Sequence, residues 1–189
     1  MICVTGYTGF LGRAVVQRLY DTCRPCKRPE GNLLAPGVAA RYVRGCDAVI
    51  HLAGETKIME RMFERNVTLT HLLLQASAAE GIQRFLYVSS VAVTQCFARG
   101  RWTPYAISKL TAEVMVDAES NRMHTNIVRL PTVYGGRGIR AWPIMAVKSL
   151  CYGVNPTTMQ SVTQAVNTIL AALDEPKEAL CTAARSSVK

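Results

Sequence analysis

Ile2-Cys3-Val4-Thr5-Gly6-Tyr7-Thr8-Gly9-Phe10-Leu11-Gly12 opens the chain, and the fold is decided there. The short apolar run predicts a strand over residues 2–5, three glycines at intervals of three follow at once, and residues 13–20 carry Ala14, Val15 and Leu19 at helical spacing. A strand, a glycine-rich turn and a helix in immediate succession is the context that makes a dinucleotide-binding turn credible. Gly6 allows the tight turn, Gly9 lets the backbone approach a pyrophosphate, and Gly12 lets helix and strand pack closely. Amides at the helix start, with the helix dipole behind them, then favour an anion.

Working outward, the same alternation recurs. Ala48-Val49-Ile50-His51-Leu52-Ala53 is a nearly continuous apolar run, as buried parallel strands are. Residues 67–79 predict a helix ending near Gly81, 85–89 a second buried strand, 105–119 a helix and 126–130 another strand. A last helix is expected over 161–173, before Asp174-Glu175-Pro176. Between Asp21 and Cys46 the pattern breaks up around Pro25, Pro29 and Pro36, and no helix is expected there. Strands alternating with helices predict an α/β fold, a Rossmann-type doubly wound parallel sheet covered on both faces.

Bulk composition is compatible with this. Of 189 residues, 49% are hydrophobic and 19% charged, enough for a packed core. No apolar run reaches the roughly 18 residues of a membrane span, so no membrane association is expected. Met1 runs straight into the first strand and leaves no room for a leader, which points to a cytoplasmic protein. The net charge of +9 is scattered, without the basic stripe and interleaved aromatics that track a phosphate backbone, so nucleic acid is not an expected partner. Seven cysteines, an odd number, suit a reducing compartment. Cys23-Arg24-Pro25-Cys26 has redox or zinc-knuckle spacing, but no second pair follows and no metal site is expected.

Tyr105-Ala106-Ile107-Ser108-Lys109 sets a tyrosine and a lysine one helical turn apart on one face. A Lys ammonium beside a phenol favours the phenolate, so Tyr105 is expected to exchange a proton with a substrate hydroxyl near neutral pH. Ser90 ends the preceding strand and is expected to share that oxygen. The acidic residue that usually binds the ribose at the end of the second strand is missing, and Arg24, Lys27 and Arg28 stand in that stretch, while Arg13 follows the last glycine. The exchange leans toward a 2′-phosphate, hence NADP over NAD, leaving both open.

These segments together resemble the extended short-chain dehydrogenase/reductases, the NAD-dependent epimerase/dehydratase family. The resemblance is carried by TGYTGFLG (residues 5–12), DAVIHLAG (47–54), RNVTLTHLLLQASAAEGIQRFLYVSSVAV (65–93), PYAISKLTAE (104–113) and VRLPTVYGGRG (128–138). The wording after Ser90 is most similar to bacterial nucleotide-sugar 4-epimerases and 4-ketoreductases. The resemblance implies that Tyr105 is the general acid/base, that Lys109 binds the nicotinamide ribose and lowers the Tyr105 pKa, and that Ser90 orients the sugar oxygen. It implies cofactor contacts from Gly6, Gly9, Phe10, Leu11, Gly12, Leu52, Ala53 and Gly54. Asn66 would support the site from a helix, Leu130 would sit against the nicotinamide, and Thr132 would face the substrate. Read from residues alone, Leu52 and Leu130 are also ordinary core positions, Asn66 also suits a helix cap, and His51 reads as a core residue rather than a base. A homodimer is the family-level expectation.

The chain departs from the family in length. Only 26 residues (21–46) link the first helix to the next long strand, the 95–103 stretch is abbreviated, and about 50 residues follow Gly138 where a substrate lobe belongs. Gln164 stands near a position that is often acidic in the family. The division expected is a dinucleotide-binding domain over 1–138 and a partial substrate lobe with a returning helix over 139–189. A portion of a longer protein fits this shortfall best. A minimal enzyme and a non-catalytic Rossmann subunit, binding dinucleotide or serving assembly, are the alternatives.

Overall fold

Four-residue strands cannot hold together on their own hydrogen bonds, so the sheet depends on being covered. The computed structural model describes residues 1–25, 32–135 and 159–175. Within them β1 (Ile2–Thr5), β2 (Cys23–Pro25), β3 (Ala48–His51), β4 (Arg84–Ser90) and β5 (His124–Leu130) form one sheet in the order β2-β1-β3-β4-β5. Every pairing is parallel, with Ile2 opposite both Cys23 and Ala48, Ala48 opposite Arg84, and Arg84 opposite His124.

Alternate side chains feed two separate cores, as the two-residue period of a strand requires. On one face Cys3, Val49, Phe85 and Tyr87 pack with Tyr42, Leu73, Leu74, Ala112 and Val116. Those partners belong to α2 (Val38–Val43), α4 (Leu69–Ala79) and α6 (Pro104–Ala118). On the other face Val4, Ile50, Leu86 and Val88 meet Val15 of α1 (Phe10–Leu19) and Ala165, Val166 and Ile169 of α7 (Val162–Asp174). Burying each large side chain contributes about 1.5–3 kcal/mol, which is what lets such short strands persist.

The chain moves from β1 outward to β2, then crosses back to β3 on the other side of β1. This reversal opens a crevice beyond the carboxyl ends of β1 and β3, where ligands of open α/β sheets bind. The glycine turn leaves β1 into that crevice, and Leu52–Gly54 leaves β3 into it.

Several elements differ from the sequence expectation. The 21–46 stretch does hold structure: β2, and the six-residue α2 entered from Gly37 at φ 73°. Tyr42 and Val43 of α2 are fully buried, so tertiary packing overrides the proline and glycine punctuation. The helix expected from Val67 begins earlier, at α3 (Met59–Phe63), and widens into a π turn over Glu64–Thr68 before α4. The shortened stretch after Ser90 folds as α5 (Ala92–Arg99), closed by Gly100 in the left-handed region. β6 (Thr132–Tyr134) pairs in parallel with β7 (Met159–Ser161), which leads into α7. Gln164 is spent there: its side chain accepts from the Ser161 amide while Ser161 caps the Gln164 amide, a capping box. The expected substrate lobe falls largely on residues 139–158 and 176–189, outside the described residues. Cys23 is buried with a free thiol, and burial pushes its pKa up, while Cys26 also lies outside the described residues.

Candidate active site and cofactor cleft

The glycines after β1 are where side chains cannot go. A Cβ on Gly6 would sit 2.6 Å from the Ala53 amide nitrogen, and Gly6 has φ 71°. A Cβ on Gly12 would fall 2.1 Å from the Gly6 carbonyl oxygen. Gly54 is confined too, since its Cβ would meet Asn66 Oδ1 at 2.8 Å. The turn is closed by the Gly9 amide donating to the Gly6 carbonyl at 3.0 Å. Helix α1 has no side-chain cap and no acidic residue in its first turn, so its amides keep their affinity for an anion. Bare backbone and an uncapped helix start fit a dinucleotide pyrophosphate.

Two adjoining cavities flank the turn. One, of about 520 Å³, is lined by Gly6 and Gly9 together with Leu33, Tyr42, Ala53 and Arg65. The other, of about 400 Å³, is lined by Phe10, Leu11, Gly12, Leu52 and Gly54 on one side and by Ser90, Tyr105, Lys109 and Leu130 on the other. The structure therefore brings the expected catalytic and cofactor residues to one cleft. Asn66 stands behind Gly54 rather than in the lining. Pro131 and Val133 line the second cavity, and Thr132 between them does not.

Tyr105 and Lys109 lie on α6, whose start is fixed by Pro104 in its first turn and by the Thr103 hydroxyl accepting from the Ala106 amide. The Lys109 ammonium donates to the Val88 carbonyl at 2.9 Å and stands 4.6 Å over the Tyr87 ring. Burial lowers its pKa to about 8, with the Glu113 carboxylate one turn on pulling the other way. Tyr105 departs from the sequence expectation. Its pKa is raised, chiefly by burial, and the opposing pull comes from a hydrogen bond with Ser90 rather than from Lys109. The lysine's nearest partner here is a backbone carbonyl, so the phenol stays protonated at neutral pH.

Asn66, which the sequence reading expected to support the site, holds this wall together with polar side chains that it passed over. Asn66, in the π turn and not at a helix cap, donates from Nδ2 to the Ser108 hydroxyl and to the Glu55 carbonyl, each at 2.9 Å, and accepts the Glu55 amide at 2.7 Å. Ser108 in turn donates to the Tyr105 carbonyl at 2.8 Å. Glu113 is buried, accepts from the Ser89 hydroxyl, and takes a forked pair from Arg129 with a closest approach of 2.6 Å. A carboxylate one turn past Lys109, and an arginine inside an apolar strand, were the signals for this pair.

His51 is fully buried, as its reading as a core residue requires. The Thr70 hydroxyl proton goes to the Asn66 carbonyl, so His51 Nε2–H must donate to Thr70 Oγ1, at 2.9 Å. Nδ1 then accepts from Thr5, at 2.6 Å, and Thr5 accepts the Ala53 amide. Burial, aided by the nearby Lys109 charge, drops the His51 pKa to about 3, so the ring is neutral. Of the residues expected at a 2′-phosphate, Arg24 donates to the Arg44 carbonyl at 2.6 Å and Arg13 to the Thr8 carbonyl at 3.0 Å, while Lys27 and Arg28 lie outside the described residues.

The NAD dependent epimerase/dehydratase family model matches residues 2–147. The chain belongs to that family. The family is NAD-dependent by its description, and the cleft is of a kind that fits a dinucleotide. Among relatives, the chain is similar to a ceramide reductase of Caulobacter vibrioides, 30% identical over 155 residues, covering 71% of this chain and 47% of that protein. It is also similar to a dTDP-glucose 4,6-dehydratase of Streptomyces griseus, 28% identical over 120 residues, covering 54% and 36%. The chain thus spans about half, or less, of the length of these relatives. In fold it is similar to UDP-N-acetylglucosamine 4-epimerase from Bacillus cereus, with a TM-score of 0.73 at 20% identity, covering 93% of this chain and 72% of that one. Among the described residues no helix is long and apolar enough to cross a membrane. No group of three potential metal ligands occurs among them.

Proposed function

We propose that the chain is the dinucleotide-binding and catalytic portion of a nucleotide-sugar 4-epimerase or 4-ketoreductase. The observation that carries this reading is the 400 Å³ cavity, where the glycine turn and the Ser90, Tyr105 and Lys109 set face each other. Gly6, Gly9, Phe10, Leu11, Gly12, Leu52, Ala53, Gly54 and Leu130 would hold the dinucleotide, with Asn66 supporting the turn from behind. Bound nicotinamide supplies the hydride chemistry.

The chain's own part is proton transfer. The protonated Tyr105 donates to the carbonyl oxygen of a 4-keto sugar, oriented by the Ser90 hydroxyl, as the carbonyl becomes an alcohol. In the reverse direction the tyrosine must take the hydroxyl proton as a phenolate. That state needs the Lys109 cation turned toward it from the Val88 carbonyl. Residues 1–138 would be the dinucleotide domain, with Thr132 near its end facing the sugar, and 139–189 would be part of a substrate lobe. The active protein would be a homodimer in the cytoplasm.

Tyr105→Phe tests the assignment, since it removes the exchangeable proton and keeps the ring. Turnover of a UDP- or dTDP-linked hexose should fall about 10²–10⁴-fold, while the Kd for NAD, read by calorimetry, stays within a few-fold. Unchanged turnover would remove Tyr105 from the chemistry. Binding of NAD with no turnover by either form would favour a non-catalytic binding or assembly subunit.

A further inference from the structure

The larger cavity carries one charged side chain among the described residues that line it, and that residue is Arg65. It sits in the π turn beside Asn66, and Leu69, one turn later, lines the same cavity. Its Nε is buried, yet no hydrogen-bond acceptor meets it among the described residues. The obvious opponent, Glu55, is engaged elsewhere. Its carboxylate accepts the Thr56 and Lys57 amides at 2.9 Å and the Ile58 amide at 3.3 Å, and feels Arg65 only at a distance. None of the ion pairs among the described residues includes Arg65.

A buried guanidinium N–H without an acceptor is a standing cost that an occupant of the cavity would relieve. The planar fork of arginine suits phosphate oxygens, to which it can donate two parallel hydrogen bonds. The same cavity is walled by Gly6 and Gly9 of the turn that precedes the uncapped start of α1. Helix-end amides supply partial charges there, and Arg65 adds a full one. We infer that Arg65 is a phosphate-binding residue of this cleft, donating to a phosphate of the bound dinucleotide from the helix that also carries Asn66. This rests on the dinucleotide reading of the cleft. Two phosphates offer that chemistry: the pyrophosphate common to NAD and NADP, and the 2′-phosphate of NADP alone. Arg24 and Arg13, the described residues that the sequence offered for the second, are committed to the Arg44 and Thr8 carbonyls.

The experiment is calorimetric titration of the 189-residue chain with NAD, NADP and adenosine, for the native protein, Arg65→Met and Arg65→Lys. Thermal melts establish that each variant is folded. Arg65→Met should weaken NAD and NADP equally, about 10- to 100-fold, the effect of one or two charge-assisted hydrogen bonds. Adenosine, without phosphate, should bind as before, and Arg65→Lys should recover part of the loss. A loss confined to NADP assigns the 2′-phosphate instead. Native affinity of Arg65→Met for both dinucleotides overturns the inference while leaving the cleft reading intact, as does an equal loss for adenosine. If the folded native chain binds neither dinucleotide at millimolar concentration, the cleft reading itself fails and Arg65 with it.

Discussion

The two walls of the cleft are built on opposite principles. The β1–α1 wall works by lacking side chains: Gly6 and Gly12 leave backbone against backbone, with no room for a Cβ. The α6 wall works by burying polar side chains and satisfying them: Lys109, Glu113, Ser108 and Asn66 are all buried, and each has named partners. The first wall is intolerant of added atoms, and the second of lost charge or hydrogen bonds. Substitution should therefore injure them in different currencies.

The largest effect is expected on the first wall. Gly12→Ala drives a Cβ to 2.1 Å from the Gly6 carbonyl oxygen, and both groups are backbone, so α1 must move away from the turn. Overpacking of this kind costs about 1–3 kcal/mol, occasionally more, and here it also displaces the helix start that would meet the pyrophosphate. Chemical denaturation should show a loss at or above the top of that range, together with at least tenfold weaker NAD binding. A variant with native stability and affinity would mean that the turn relaxes cheaply, and the contrast between the walls would weaken.

On the second wall, Glu113→Gln keeps shape and removes charge. Arg129 is 39% exposed on its side chain and retains water, so the loss should be about 1–3 kcal/mol, less than for a fully buried pair. The sharper readout is Lys109. The ammonium stands over the Tyr87 ring on β4, donates to the Val88 carbonyl and lies near His51 on β3, and Glu113 on α6 is the carboxylate that favours its charged form. Because burial has already lowered the Lys109 pKa to about 8, the charge is present below that pH and lost above it. Removing Glu113 pushes the pKa lower still. The alkaline fall in NAD affinity should begin at lower pH in Glu113→Gln than in the native chain. An unmoved limb would show that the carboxylate braces Ser89 and Arg129 without tuning the lysine.

The same division explains what could be read in the sequence. The bare wall is spelled by its glycines, because tight turns and close helix–strand approach admit no other residue, and the parallel sheet follows from apolar runs of the right length. The covered wall was legible only in its outline. Tyr105 and Lys109 announce themselves by spacing, but their protonation depends on burial that no local pattern records, and so the Tyr105 shift came out opposite to expectation. Ser108, Glu113 and Arg129 act across sequence gaps, from 3 residues in the Ser108–Tyr105 hydrogen bond to 42 in the Ser108–Asn66 one, and only the fold brings them together. α2 was missed for a related reason. Its six residues are too few for periodicity, and the pocket that buries Tyr42 is made by α4 and the sheet.

His51 joins the two walls, and its effect should be the smallest and the most specific. The chain of bonds runs from the Ala53 amide through Thr5, the neutral ring and Thr70 to the Asn66 carbonyl, and a protonated ring would break it at Nδ1. The folded pKa of about 3 lies below the unfolded value of 6.5, so between those values the unfolded chain binds the extra proton. Stability from this group is therefore complete above about pH 6.5 and is lost as pH falls toward 3, with a slope of at most about 1.4 kcal/mol per pH unit. Urea unfolding between pH 7 and 5 should show that slope setting in below pH 6.5. In His51→Gln, which cannot titrate, the contribution should vanish even though the variant is less stable throughout. An equal slope in both would place the acid sensitivity in other groups and leave the two walls coupled by packing alone.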